Sequence, residues 1–266
     1  MQGVDGSSPF IHTKLRLWCK SAGVVFHYTD KKGGTDMKTF FPGKTIRGWI
    51  FDFNGTLLFD SPAHADAWKN FLLSKGICVT DEEMRRDVQG RPNPFILRHF
   101  FGELSEEEIR RYSAEKEEAY REACLSSGKD GWFRLADGAE EMFDRLKAEK
   151  IPFTIATSSQ WDNVSFYFEH LGLGRWFTPE SIVFDNGKMP GKPAPDIYWK
   201  SMKLLNLCPE ECVVFEDSLS GIAAARAAGA GLIVGVASDL DEKTLQEGGA
   251  EKIIRDFRWA SDVLHG

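Results

Sequence analysis

Four short stretches hold side chains whose types suit one chemistry; three follow an apolar run and one precedes a predicted helix. They are Asp52-Phe53-Asn54-Gly55-Thr56, Thr157-Ser158-Ser159, Gly191-Lys192-Pro193 and Glu216-Asp217-Ser218. In an open parallel sheet, ligands gather at the carboxyl ends of the strands, so such stretches share one edge. That edge then collects the carboxylates of Asp52, Glu216 and Asp217, the Asn54 amide, several hydroxyls and one lysine. Carboxylates held together repel one another unless a cation sits among them. Hard oxygen ligands with room for water suit Mg²⁺. A lysine and hydroxyls beside such an ion suit a phosphoryl group.

The elements that must position these residues alternate. Strands are predicted at 46–53, 151–156, 181–184, 212–215, 232–236 and 252–255, from short apolar runs bounded by turn residues. Helical periodicity is predicted at 62–76, 139–150, 164–171, 195–205 and 220–228. This alternation implies βαβ units and an α/β fold around a mostly parallel sheet. Between the first two strands lies a charged helical stretch, about 81–122, broken near 90–94 and at Gly102. Its second part opens with Ser105 and Glu108, a capping-box pattern. An all-helical stretch at this point reads as an insertion, hence a second small domain.

Composition narrows the remaining classes. The 266 residues are 42% hydrophobic and 27% charged, which excludes wholesale disorder. The formal net charge of −7 argues against a broad grip on nucleic acid. No apolar run approaches the ~18–20 residues of a membrane span, so no membrane partner is expected. Five cysteines without metal-ligand spacing read as free thiols in a reducing, cytoplasmic setting. Residues 1–36 read as a loose extension or an upstream artefact, with Met37 as the domain start.

The four stretches, in this order, resemble the haloacid dehalogenase-like (HAD) superfamily. Its first motif, D-x-D-G-T, is met by DFNGT; its second, a Ser or Thr after an apolar strand, by Thr157; its third by KPAPD. Its fourth, an acidic pair before G-I-x-A-A-x-x-A-G, is met by EDSLSGIAAARAAG. The resemblance spans about 46–260. It implies a Rossmann-like core, about 37–61 and 132–266, with an inserted α-helical cap, about 62–131. It also implies a Mg²⁺-dependent phosphohydrolase acting on a small phosphorylated metabolite. Asp52 would be the nucleophile that forms an aspartyl-phosphate. Asp52, the Asn54 backbone carbonyl, Asp217 and Glu216 would hold the metal. Thr157 and the amides of Gly55, Thr56 and Ser158 would bind phosphate, and Lys192 would neutralise developing charge. Taken singly, Asp52 reads equally as a turn former and Lys192 as a surface lysine; the joint pattern decides.

One position departs from the pattern. Asn54 stands where most phosphatases of the family carry the aspartate that serves as general acid and base. Such catalysis is worth roughly 10²–10⁴-fold, so slow hydrolysis of alkyl phosphates is expected, and Asn54→Asp is expected to raise it by roughly 10²-fold. His64 is the nearest substitute acid. His64 and Trp68, at i and i+4, share a helix face and resemble the beta-phosphoglucomutase branch. By the same resemblance Gln89-Gly90-Arg91 looks like a cap loop in which Arg91 holds a second phosphate, and Lys116 faces the cleft. A sugar phosphomutase and a non-catalytic phosphate-ligand binder are the alternatives.

Overall fold

The structure is a computed structural model that describes residues 43–88, 91–128 and 131–260. The expectation for residues 1–36 lies outside the described residues, as do Gln89 and Gly90.

Six parallel strands form one sheet. They are β1 (Gly48–Phe51), β2 (Phe153–Gln160), β3 (Val183–Asp185), β4 (Cys212–Glu216), β5 (Leu232–Val236) and β6 (Lys252–Ile254), in the spatial order β3-β2-β1-β4-β5-β6. β1 lies between β2 and β4, with Trp49 level with Phe153 and Val213. All four of its residues are buried, as expected where helices cover both faces of a parallel sheet. The two-residue period of a strand sends Trp49 and Phe51 into one apolar layer and Ile50 into the other. The first layer is aromatic, with Phe51 stacked on Phe215 at 4.8 Å. The second is aliphatic and built on Ile197, Val214, Ile222 and Ala225.

Between β1 and β2 the chain leaves the sheet. It forms α1 (Ser61–Ser74), α2 (Asn93–Phe101) and α3 (Glu106–Ser126) before returning through α4 (Ala139–Ala148). α3 begins with the expected capping box between Ser105 and Glu108. The insert has its own apolar cluster of Trp68, Phe71, Leu72, Met84, Val88, Ile96, Leu97 and Ile109. Its separation from the sheet domain is incomplete, because Ala67, Tyr120 and Cys124 join the aromatic layer of the core. α1 and α3 therefore straddle both packing units, and this is where polar side chains of the two units meet. The longer helices that follow are α5 (Trp161–His170), α6 (Asp196–Leu205), α7 (Leu219–Ala228) and α8 (Glu242–Gly248).

Three expectations need correction. β2 starts at Phe153 and runs to Gln160, with a register shift against β3 between Thr157 and Gln160; the polar TSSQ stretch stays extended because β3 still pairs with it. α8 was not expected, since EKTLQEG buries only Leu245 and is set by its Asp241 cap. Cys78, Cys124 and Cys212 are free thiols, but Cys208 is disulfide-bonded. Among the described residues, no helix is long and apolar enough to cross a membrane.

Candidate active site

The first polar cluster lies at the carboxyl end of β1. The chain leaves the strand at Asp52 and folds into a tight turn in which Phe53 O accepts from the amides of Thr56 (3.2 Å), Leu57 (2.8 Å) and Leu58 (3.0 Å). Gly55 adopts φ 79° in this turn. A Cβ there would lie 2.1 Å from Asp217 Oδ2, so only glycine lets the turn approach that carboxylate. Thr56 donates its hydroxyl to Asp217 Oδ1 at 3.1 Å.

Lys192 reaches in from the loop before α6. Its ammonium contacts Asp52 Oδ1 and donates to Glu216 Oε1 at 2.6 Å. Glu216 is fully buried. Its Oε1 also accepts from Tyr198 OH (2.6 Å), and its Oε2 from the amide (3.2 Å) and hydroxyl (3.1 Å) of Ser218. Gly221 in α7 makes room for it, since a Cβ would fall 1.8 Å from Glu216 Oε1. Asp52, Glu216 and Asp217 bring carboxylate oxygens within 4.8 Å of one another.

Three carboxylates against one ammonium leave negative charge unbalanced in a dry place. Burial lifts Asp52 to about 7, against the pull of Lys192 and with a further push from Glu216. Burial, then the charges of Glu216 and Asp52, raise Asp217 well above the usual carboxylate range. Lys192 is held in its charged form: burial alone would lower it, but Asp52 and Glu216 raise it. An excess of buried carboxylate oxygens at one point fits a hard divalent cation.

A second polar cluster begins at Asn54, two residues on, and runs to the insert. Asn54 Nδ2 donates to Asp60 Oδ2 at 2.6 Å and to Tyr167 OH at 2.9 Å, and its Oδ1 accepts from Ser159 Oγ at 2.7 Å. Asp60 also accepts from the Gly55 amide at 3.1 Å and from the Tyr120 hydroxyl. His64 lies parallel to the Tyr120 ring at 3.8 Å. Its Nε2 is 3.4 Å from Asp60 Oδ2, and its Nδ1 is 2.8 Å from Lys116 Nζ. The Lys116 ammonium also donates to Glu117 Oε1 at 3.0 Å. Glu117 accepts from Asn93 Nδ2 and Asn163 Nδ2, both at 2.8 Å. Burial lowers Lys116, with only partial relief from Glu117. Burial works to lift Glu117, but Lys116, His64 and the two asparagine amides hold it down at about 2.

The haloacid dehalogenase-like hydrolase model matches residues 46–229. The chain belongs to this family. It is 31% identical over 212 residues to the phosphorylated carbohydrates phosphatase of Thermotoga maritima, covering 77% of this chain and 93% of that protein. A HAD hydrolase of family IA, variant 3, from Entamoeba histolytica superposes with a TM-score of 0.74 at 38% identity, covering 83% of this chain and all of that one. A beta-phosphoglucomutase from Clostridium difficile superposes with a TM-score of 0.65 at 25% identity, over 80% and 92% of the two chains.

The structure of this HAD hydrolase groups most of the candidate residues and redistributes the rest. Asp52, Lys192, Glu216 and Asp217 form the first cluster; Asn54, His64 and Lys116 belong to the second. Thr157 is buried and accepts from the Ser159 amide at 3.0 Å, and Ser158 beside it is exposed. The Gly55 amide donates to Leu58 O (2.7 Å) and Asp60, and the Thr56 amide to Phe53 O. Two of the three amides expected to bind phosphate are thus engaged within the turn. Arg91 is exposed and lies over Phe95 at 5.1 Å, so its contact is with the insert itself. Trp68 is in the insert's apolar cluster. Asp60, Tyr120, Tyr167 and Glu117 were not singled out. The available signal was helical spacing: Lys116 and Tyr120 share one face of α3, as Asp60 and His64 share one end of α1.

Proposed function

We propose that this protein is a Mg²⁺-dependent phosphatase that hydrolyses a small phosphorylated carbohydrate through an aspartyl-phosphate on Asp52, beneath a helical cap formed by the insert. The observation that carries the reading is Asp52 itself: a buried carboxylate at a strand end, paired with a buried ammonium and facing two further carboxylates. The Thermotoga relative supports the substrate class, since its name places it on phosphorylated carbohydrates.

Asp52 and Asp217 would hold Mg²⁺ with the Asn54 backbone carbonyl. Glu216 is less available, having both oxygens committed to Lys192, Tyr198 and Ser218. The ion when bound offsets the clustered carboxylates and polarises the phosphoryl oxygens. Asp52 attacks phosphorus with the oxygen that Lys192 does not hold. Lys192 keeps Asp52 oriented and neutralises charge as it builds on the phosphoryl group. Thr157 and the Ser158 amide, at the end of β2, would hold phosphate oxygens. The cap would exclude bulk water and choose the sugar.

The test is phosphate release from a panel of p-nitrophenyl phosphate, glycerol phosphate and hexose phosphates with Mg²⁺, wild type beside Asp52→Ala. Turnover that Asp52→Ala abolishes supports the reading. Isomerised sugar phosphate without phosphate release would replace it with a mutase, which the likeness to a solved beta-phosphoglucomutase makes the second reading.

A further inference from the structure

Expulsion of a sugar from its phosphate leaves an alkoxide, which needs a proton as the P–O bond breaks. Asn54, the polar side chain nearest in sequence to Asp52, has none to give. Lys192 is fixed between Asp52 and Glu216. Tyr120 and Tyr167 are buried, and burial pushes both phenols well above their ordinary range. Asp60 is 1% exposed and already accepts from Asn54, Gly55 and Tyr120. His64 differs from all of these: its side chain is 26% exposed.

The contacts of His64 also set its tautomer. Lys116 has only hydrogens to offer, so its ammonium donates to Nδ1 at 2.8 Å, and Nε2 carries the ring hydrogen. Nε2 lies 3.4 Å from Asp60 Oδ2, and that same oxygen is 2.6 Å from Asn54 Nδ2. The ring plane is fixed by Tyr120. Charged and titratable groups facing the pair are Asp60 from the start of α1, and Glu117 and Tyr120 from α3.

We propose that Lys116 and His64 form a proton relay that does the work Asn54 cannot. The proposal rests on the phosphatase reading and names its acid and base. As Asp52 forms its bond to phosphorus and the phosphorus–sugar oxygen bond breaks, the Nε2 hydrogen of His64 passes to the departing oxygen. A hydrogen of the Lys116 ammonium passes to Nδ1. The sugar leaves as a neutral alcohol, the imidazole stays neutral in its other tautomer, and Lys116 becomes a neutral amine. In the second half a water oxygen bonds to phosphorus and the Asp52–phosphorus bond breaks. The water's proton goes to Nε2, and Nδ1 returns its hydrogen to Lys116. The burial that lowers Lys116 makes its proton transferable. His64 is the catalytic residue, and Lys116 acts through it.

Leaving-group dependence separates this relay from a structural role. A p-nitrophenolate departs without a proton, whereas a sugar does not. Rapid-quench, single-turnover phosphoryl transfer is measured with Mg²⁺ on p-nitrophenyl phosphate and on the best sugar phosphate of the panel. His64→Gln is expected to slow transfer from the sugar phosphate by roughly 10²–10⁴-fold and to slow the p-nitrophenolate burst far less. Lys116→Met is expected to show the same selectivity. So is Lys116→Arg, which keeps the charge but holds its proton too tightly, and it covers the case in which methionine unsettles the fold. Equal losses on both substrates would make the pair structural and overturn the relay. Unchanged rates on both would mean another donor serves. A wild type that releases p-nitrophenolate but transfers from no sugar phosphate would also refute the relay while leaving phosphatase chemistry intact. A wild type inert on both substrates would remove the phosphatase reading and the relay with it.

Discussion

Two buried polar clusters sit side by side at the carboxyl end of β1, and they are balanced differently. Around Asp52 three carboxylates face one ammonium, and two of them are lifted by burial and mutual repulsion. Around Asp60 the excess is smaller and is met by neutral donors: Asp60 and Glu117 face Lys116, with His64 between them, and Asn54, Tyr120, Asn93 and Asn163 donate to the two carboxylates. The partners of Glu117 also hold its carboxyl down at about 2. An unbalanced cluster asks for something from outside, here a cation and a phosphoryl group. A balanced one completes itself, and it can hold geometry and pass protons with no ligand present. The first therefore reads as the place where bonds change, the second as the apparatus beside it.

The sharpest way to break this contrast is to remove the centre of each cluster. Asp52→Ala is expected to lower turnover by on the order of 10⁴-fold or more, because loss of a covalent nucleophile is not made good by its neighbours. Lys192→Met should also fail in turnover. In addition it leaves Asp52 and Glu216 buried without their partner, a loss of about 3–5 kcal/mol that chemical denaturation would detect. Added Mg²⁺ should raise the Tm of the wild type and not that of Asp217→Asn, since a ligand at a hundredfold its Kd adds about 2.7 kcal/mol to the folded state. A Tm indifferent to Mg²⁺ would remove the cation from the unbalanced cluster.

The next effect is smaller and belongs to the balanced cluster. Glu117 has a folded pKa near 2 against an ordinary 4.5. Its folded value is depressed, so its contribution to stability is complete above about 4.5 and fades as pH falls toward about 2. At 1.36 kcal/mol per unit, the contribution is on the order of 3 kcal/mol. Glu117→Gln should be less stable at pH 7 and should lose less on acidification from pH 5 to 2. Urea unfolding at a series of pH values reads both; an acid limb as steep as that of the wild type would show that Glu117 is not its source.

The sequence reveals the unbalanced cluster far better than the balanced one. Its three carboxylates stand at the ends of apolar runs and Lys192 just before a helix, and a parallel sheet brings strand ends together whatever the helices do. Asp52, Lys192, Glu216 and Asp217 could therefore be assembled on paper. The alternation of strands and helices was legible from the same apolar runs, and so was the helical insertion. The second cluster depends on how α1 and α3 roll against the core, and on which rotamer turns Tyr120 and Glu117 inward. No local pattern records that. Asp60 drew no reading from the sequence, yet it is buried at the meeting of the two units. Arg91 was placed by resemblance to a cap loop, and its contact with Phe95 had no signal in the sequence. The TSSQ stretch looked like a strand end because its polarity hides that β3 continues to pair with it.

The smallest effect concerns the boundary between the clusters. From the sequence alone, Asn54→Asp promises a gain in turnover. The surroundings of Asn54 point to a smaller one. Its Nδ2 donates to Asp60 Oδ2 at 2.6 Å and to Tyr167 OH, contacts that fit an amide and oppose a carboxylate. An aspartate here would set two carboxylates against each other, and they could coexist only by sharing a proton. Asn54→Asp is therefore expected to destabilise the protein by about 1–3 kcal/mol and to raise sugar-phosphate turnover less than tenfold. Exchange of the two residues, Asn54→Asp with Asp60→Asn, keeps one amide facing one carboxylate. The double variant should recover most of the lost stability, with a coupling of about 0.5–3 kcal/mol in a thermodynamic cycle. Additive losses would mean that Asn54 and Asp60 are neighbours without being partners. Recovery would mean that this chain carries its buried carboxylate at position 60, with Asn54 shaped to receive it.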